Sequence, residues 1–93
     1  MPAFTNSQIT EALEGLPGWS QDGQTITKTY EFADFNAAIA FMNRAASSID
    51  EMDHHPEWFN VYNRVDVRLS SHDVGGVTDR DIMLARVLER LVS

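Results

Sequence analysis

The chain has 93 residues, 43% of them hydrophobic, with a formal net charge of −7 and no cysteine. That length fits one domain, 1–93, with a modest core; the acidic balance disfavours nucleic acid and anionic membrane as partners, and disulfides and thiol catalysis are excluded. No apolar run approaches the roughly 20 residues that span a bilayer, and the first ten residues lack a signal peptide's basic start and apolar stretch, so a soluble, cytoplasmic protein is expected.

Thr5 or Ser7 can cap a short first helix, Ser7 to Leu13, which Gly15 and Pro17 bring to an end. Two β-prone runs follow, near 18–21 and 25–32. Asp22-Gly23 between them predicts a hairpin with a type I′ turn. Asp34 has the character of an N-cap. Behind it Phe35, Ala38, Ile39, Met42, Ala46 and Ile49 recur at helical spacing, widened by Ala37, Phe41 and Ala45. The helix is expected to end between Asp50 and Asp53. His55 precedes Pro56, and a residue before proline is pushed out of the α region, so His54 and His55 mark a helix-to-strand junction.

Trp58 to Tyr62 and Val65 to Leu69 read as strands, with Asn63-Arg64 as the tight turn. Val65, Val67 and Leu69 alternate with Asp66 and Arg68, one face apolar and one wet. Continued parity puts Ser70 and His72 on the wet face. Gly75-Gly76 breaks the strand, and Thr78 with Asp81 opens a last helix in the manner of a capping box. Its apolar face is Leu84, Leu88, Leu91 and Val92, broadened by Met83 and Val87. Both long helices carry apolar surface too wide for one intramolecular partner, which points to self-association. The order of elements predicts an α+β fold, a four-stranded antiparallel sheet with three helices packed on one face. The other sheet face, carrying polar residues and the three histidines, would then have room for a site.

Candidate chemistry is concentrated in Asp53-His54-His55-Pro56-Glu57-Trp58 and Ser70-Ser71-His72-Asp73, which hold all three histidines. Imidazole gives and takes protons near neutral pH, and carboxylates such as Asp50, Asp53, Asp73 and Asp81 can fix its tautomer. Histidines are also commonly structural, and the aspartates can be a solvated face. Three imidazoles and a carboxylate could hold zinc, but adjacent His54 and His55 in extended chain point to opposite sides. Trp58 is either core or a surface for a flat ligand.

These segments, with Val61-Tyr62-Asn63 and the run from Gly76 through Thr78 to Asp81, resemble the pterin-4a-carbinolamine dehydratase family. The likeness runs from about Trp19 to the C-terminus and is densest from Asp50 to Asp81. It implies dehydration of 4a-hydroxytetrahydrobiopterin to quinonoid dihydrobiopterin, without metal or organic cofactor, in tetrahydropterin recycling for aromatic amino acid hydroxylases. By the resemblance, His54 and His72 are acids that help the hydroxyl leave, and His55 binds and orients the pterin and is a candidate base. Asp53, Trp58, Ser70, Ser71, His72 and Asp73 join His54 and His55 as substrate-binding candidates, with Asp50 and Asp81 as supporting carboxylates. Many relatives carry Glu in place of Asp50, and some carry Thr in place of Ser71. A homo-oligomer, dimer or tetramer, is expected, with a functional link to an aromatic amino acid hydroxylase. Mammalian relatives also serve as dimerisation cofactors of a homeodomain transcription factor, so a non-enzymatic protein-binding or assembly module is the alternative.

Overall fold

A computed structural model describes residues 2–92; Met1 and Ser93, the ends of the expected domain, lie outside the described residues. Each helix starts where a polar side chain takes an amide that the helix itself cannot pair. Helix α1, Asn6–Leu13, is opened by a capping box between Thr5 and Gln8, which selects Thr5 over Ser7 as the cap. Helix α2, Phe35–Met52, is capped by Asp34, whose carboxylate accepts from the Ala37 amide at 2.8 Å. Helix α3 is Asp79–Val92.

Strands β1 (Ser20–Asp22), β2 (Thr25–Glu31), β3 (Glu57–Val61) and β4 (Arg64–Leu69) form one antiparallel sheet in the order β1-β2-β4-β3. The expected architecture is present. Ile26, Tyr30, Val65, Val67 and Leu69 point to the helices and are buried. Thr29, Arg68 and Phe59 lie on the opposite, outer face and are exposed. That division follows from strand alternation and makes β4 the wall behind the core.

Both hairpin turns sit one residue from their expected places. Asp22 pairs with Thr25, so the first turn is Gly23-Gln24. Only Gly23 has positive φ, at 61°, which is the pattern of type II′ rather than I′. The second turn is Tyr62-Asn63, with Tyr62 at φ 52°, and Arg64 already belongs to β4. Asn63 holds this turn to β2: its side chain donates to the Phe32 carbonyl at 2.9 Å, and its carbonyl accepts from the Phe32 amide at 2.8 Å.

The buried stripe of α2 is Ala38, Phe41, Ala45 and Ile49, rotated from the expected one. Phe35 and Ala46 face out. The sequence carries two overlapping stripes of helical period, and aromatic packing selects between them. The Phe41 ring lies 5.1 Å from both Tyr30 and Phe32. Removing so large a buried ring costs about 3–5 kcal/mol. On α3 the buried face is Asp81, Ile82, Leu84, Ala85 and Leu88, while Met83 and Val92 are exposed. A fully buried aspartate there is the departure that leads to the site.

Candidate active site

The end of α2 delivers the two adjacent histidines in opposite directions. Asp53 adopts the left-handed conformation, φ 48° and ψ 43°. The Asp53 amide donates to the Asp50 carbonyl at 3.1 Å and the His54 amide to that of Ile49 at 3.4 Å, the paired closure of a Schellman motif. Aspartate tolerates this conformation better than most residues. The reversal folds His54 back onto the core, where it is 7% exposed. His55, extended before Pro56, points to solvent.

His54 is buried against the first turn of α3. Its Nε2 lies 2.5 Å from Asp81 Oδ1, and Asp81 is wholly buried. The second carboxylate oxygen accepts from Ser71 Oγ and from the Thr78 amide, each at 2.9 Å. Ser71 and Thr78 hydroxyls are 2.7 Å apart. Thr78 and Asp81 thus form the expected capping arrangement, with the Thr78 hydroxyl accepting from the Arg80 amide at 3.2 Å. The loop between β4 and α3 supplies Ser71. A bridge closes it, the Ser71 amide donating to the Gly76 carbonyl at 2.8 Å. Gly76 must lack a side chain, since a Cβ there would meet the Ala3 Cβ at 2.8 Å.

The other two histidines are exposed, each beside its own carboxylate. His55 Nε2 is 3.2 Å from Asp50 Oδ1. His72 Nε2 is 3.7 Å from Glu57 Oε1, an ion-pair separation rather than a hydrogen bond. Strand β4 ends at Leu69 and does not carry His72 onward, yet His72 is exposed as its parity suggested. Glu57 also borders a groove of about 540 Å³ on the outer sheet face, lined with Thr27, Thr29, Phe59, Asp66 and Arg68 among others. The three histidines therefore do not share the outer face. His54 lies in the layer between sheet and α3, because the turn at Asp53 sends it inward.

Among the remaining candidates, Trp58 is half-buried opposite Val67 on the helix side of the sheet and packs against the core. Ser70 is half-buried and Asp53 exposed. Asp73 is exposed and accepts from Arg80 at 2.7 Å; that guanidinium holds its carboxyl below the usual carboxylate range. Asp81 is no part of a solvated face, unlike Asp50, Asp53 and Asp73.

Sequence reasoning gave no site role to Thr78 or Glu57. A signal for the first was available: strand parity that sets His72 outward sets Ser71 inward with Val65, Val67 and Leu69, toward the cap of α3. Among the described residues, no three His, Cys, Asp or Glu side chains are grouped to hold a metal ion, and no helix is long and apolar enough to cross a membrane. What the arrangement offers is proton transfer, from a buried imidazole oriented by a carboxylate and two exposed ones near the same helix end and loop.

Residues 2–91 match the family model described as pterin 4 alpha carbinolamine dehydratase. A Burkholderia vietnamiensis protein that bears the pterin-4-alpha-carbinolamine dehydratase name is 52% identical over 90 residues, covering 95% of this chain and 88% of its own. A counterpart from Burkholderia cenocepacia is 53% identical over 88 residues, 92% of this chain and 86% of its own. The crystal structure of a transcriptional coactivator/pterin dehydratase from Brucella melitensis superposes with a TM-score of 0.95 at 44% identity, over 98% of this chain and 99% of that one. A pterin dehydratase-like RuBisCO assembly factor of the alpha-carboxysome shares the fold, with a TM-score of 0.70 at 18% identity over 82% and 90% of the two chains. The likeness covers nearly the whole chain and includes the segments that build the His54–Asp81 cluster, and the chain belongs to the pterin 4 alpha carbinolamine dehydratase family.

Proposed function

We propose that this protein dehydrates 4a-hydroxytetrahydrobiopterin to quinonoid dihydrobiopterin and water, as a hydro-lyase working by histidine acid–base catalysis. The observation that carries the reading is the buried His54–Asp81 pair at 2.5 Å, in a chain matched to the dehydratase family over residues 2–91. The C4a–O bond breaks with its electron pair on oxygen, and a proton from an imidazolium makes that oxygen water. The N5 lone pair closes the C4a–N5 double bond, and the N5 proton passes to a base. No electrons are gained or lost overall, so the reaction calls for neither oxidant nor reductant.

His54 and His72 serve as the acids in this reading, and His55 orients the pterin and takes part as base. Asp50 and Glu57 lie beside the two exposed rings, at 3.2 Å from His55 and 3.7 Å from His72. Asp53, Trp58, Ser70 and Asp73 are the proposed pterin-contacting residues. The product suits the recycling of tetrahydrobiopterin consumed by an aromatic amino acid hydroxylase in the cytoplasm. Self-association accompanies the activity: Phe35, Met83 and Val92 are exposed on the two long helices of a small chain. Sedimentation of the purified protein tests that part, and a monomer at high concentration refutes it.

The experiment is dehydration of chemically generated 4a-hydroxytetrahydropterin, followed by absorbance with chelator present. Acceleration over the spontaneous reaction is expected, with loss of about 100-fold or more in the His54→Ala/His72→Ala double variant. A double variant of wild-type rate and intact fold sinks the proposal. The same exposed helix residues, with the coactivator description of the Brucella protein, favour a second reading as a protein-binding module. Pterin binding without acceleration would select it.

A further inference from the structure

We propose that Ser71 and Thr78 are positioning residues for the His54–Asp81 couple, not pterin contacts, and that His54 exchanges protons with the substrate through Nδ1. This deepens the dehydratase reading of the same site and rests on it for the identity of the substrate.

Accessibility argues first. Ser71 and Thr78 are each 1% exposed, so a ligand arriving from solvent cannot reach either hydroxyl. The supply of protons argues second. A carboxylate can only accept, so Ser71 directs its one hydroxyl proton to Asp81 Oδ2. The 2.7 Å contact between the hydroxyls must then be Thr78 Oγ1 donating to Ser71 Oγ. The Thr78 hydroxyl oxygen in turn accepts from the Arg80 amide. Every proton in the chain is thus directed at Asp81, and the Thr78 amide adds another donor to Oδ2. Asp81 Oδ1 is left for His54, and an accepting oxygen at 2.5 Å requires the proton on Nε2.

Nδ1 follows by exclusion. It takes no hydrogen bond among the described residues, whereas no side-chain nitrogen or oxygen among them is both buried and unpaired. The small exposed area of His54 therefore includes Nδ1. Asp81 fixes the tautomer and the ring plane, and the free nitrogen on the far edge gives or takes the proton. The serine and threonine hydroxyls hold the carboxylate in register. Without Ser71, Asp81 can swing, and the ring it orients loses its aim.

The test joins spectroscopy to kinetics. Protein labelled with ¹⁵N-histidine is examined by long-range proton–nitrogen correlation. The expected result for wild type is His54 protonated on Nε2, with that proton shifted downfield by its carboxylate bond. A proton on Nδ1 and a bare Nε2 overturn the proposal before any variant is made. Ser71→Ala should move the Nε2 proton upfield and lower kcat about tenfold, with KM changed less than about twofold. Ser71→Thr, which keeps the hydroxyl, should restore both. A Ser71→Ala enzyme whose KM rises while kcat and the imidazole resonance hold makes Ser71 a substrate contact and refutes the proposal. If Ser71→Ala does not fold, Thr78→Val, which removes only the second hydroxyl, is read by the same resonance, and an unmoved signal counts against the relay. A wild-type protein that dehydrates nothing defeats the function proposed above, and the spectrum still decides whether the relay exists.

Discussion

Two carboxylates on α3, Asp81 and Glu89, stand roughly two helical turns apart, and each gathers donors from the sheet and loops. Glu89 Oε2 accepts from Trp19 Nε1 at 3.2 Å, from Lys28 Nζ at 2.8 Å and from Tyr30 Oη. The Lys28 ammonium also sits 4.9 Å from the centre of the Tyr30 ring. Asp81 has the same plan with different donors, His54, Ser71 and Thr78. The difference lies in what each partner can still do. Lys28 is a fixed charge, and the Trp19 indole and Tyr30 hydroxyl each direct their one proton to Glu89. The Glu89 cluster is a clamp joining β2, the start of β1 and α3. At Asp81 one partner is an imidazole, which meets the carboxylate through one nitrogen and, in the proposed mechanism, uses the other for proton transfer. A buried carboxylate with three donors is thus not in itself a catalytic signature; the second ring nitrogen is what sets the proposed site apart.

The comparison breaks most sharply at Asp81. Asp81→Asn turns part of the acceptor into a donor facing Ser71, the Thr78 amide or His54. A loss of about 3 kcal/mol in stability is expected by urea denaturation, and a loss of about 100-fold or more in kcat. If kcat survives in the folded variant, the two clusters are both clamps. Glu89→Gln should separate the properties: about 1–2 kcal/mol of stability lost, and kcat unchanged. A fall in kcat matching that of Asp81→Asn would erase the distinction.

The pH dependence of stability sharpens it further. Burial, reinforced by the Glu89 bond and charge, holds the Tyr30 phenol far above its usual range. A raised folded-state value means that its contribution is intact below about pH 10 and is lost as the unfolded chain ionises above it. Urea midpoints should fall from pH 9 to pH 11 in wild type and less steeply in Tyr30→Phe. Burial raises the Glu89 carboxyl, but bonds from Lys28, Tyr30 and Trp19 outweigh it and leave the group below its usual range. That contribution is present above about pH 4.3 and fades as pH drops below it. Glu89→Gln should flatten the acid limb by the same measurement.

The smallest effect concerns the turn that brings His54 to Asp81. Asp53 holds φ 48°, a conformation that glycine adopts without steric cost. Asp53→Gly is expected to gain about 0.5 kcal/mol in the same denaturation assay. A loss of 1 kcal/mol or more would mean that the Asp53 side chain, and not its backbone alone, stabilises the junction.

Much of this was legible beforehand because it depends on neighbours in the chain. Asp34 as a cap, Pro56 after two histidines, and the alternation of Val65, Val67 and Leu69 are local rules, and each predicted its element. The misplaced turns show where local rules lose resolution: Asp22-Gly23 and Gly23-Gln24 are equally plausible until strand register chooses. The stripe of α2 is similar, since alanines on adjacent faces satisfy one period, and only contact of Phe41 with Tyr30 and Phe32 picks the inward one. Of the site, the residue types and their crowding into two segments were visible, and so was Asp81 as a helix cap. The burial of Asp81 was not, because a capping carboxylate normally faces water.

By itself, then, the sequence determined the order of elements, the antiparallel sheet with its helices on one face, and the histidine-rich segments on which a proton-transfer site could be built. These follow from periodicity, capping and steric limits that act within a few residues. Tertiary structure alone decided which histidine is buried. His54 meets Asp81 across 27 positions of chain because a left-handed turn at Asp53 and the closed loop from Ser71 to Gly76 converge on the start of α3. Long-range hydrogen bonds of that kind have no periodic trace in sequence, since each partner is chosen by packing rather than by its neighbours.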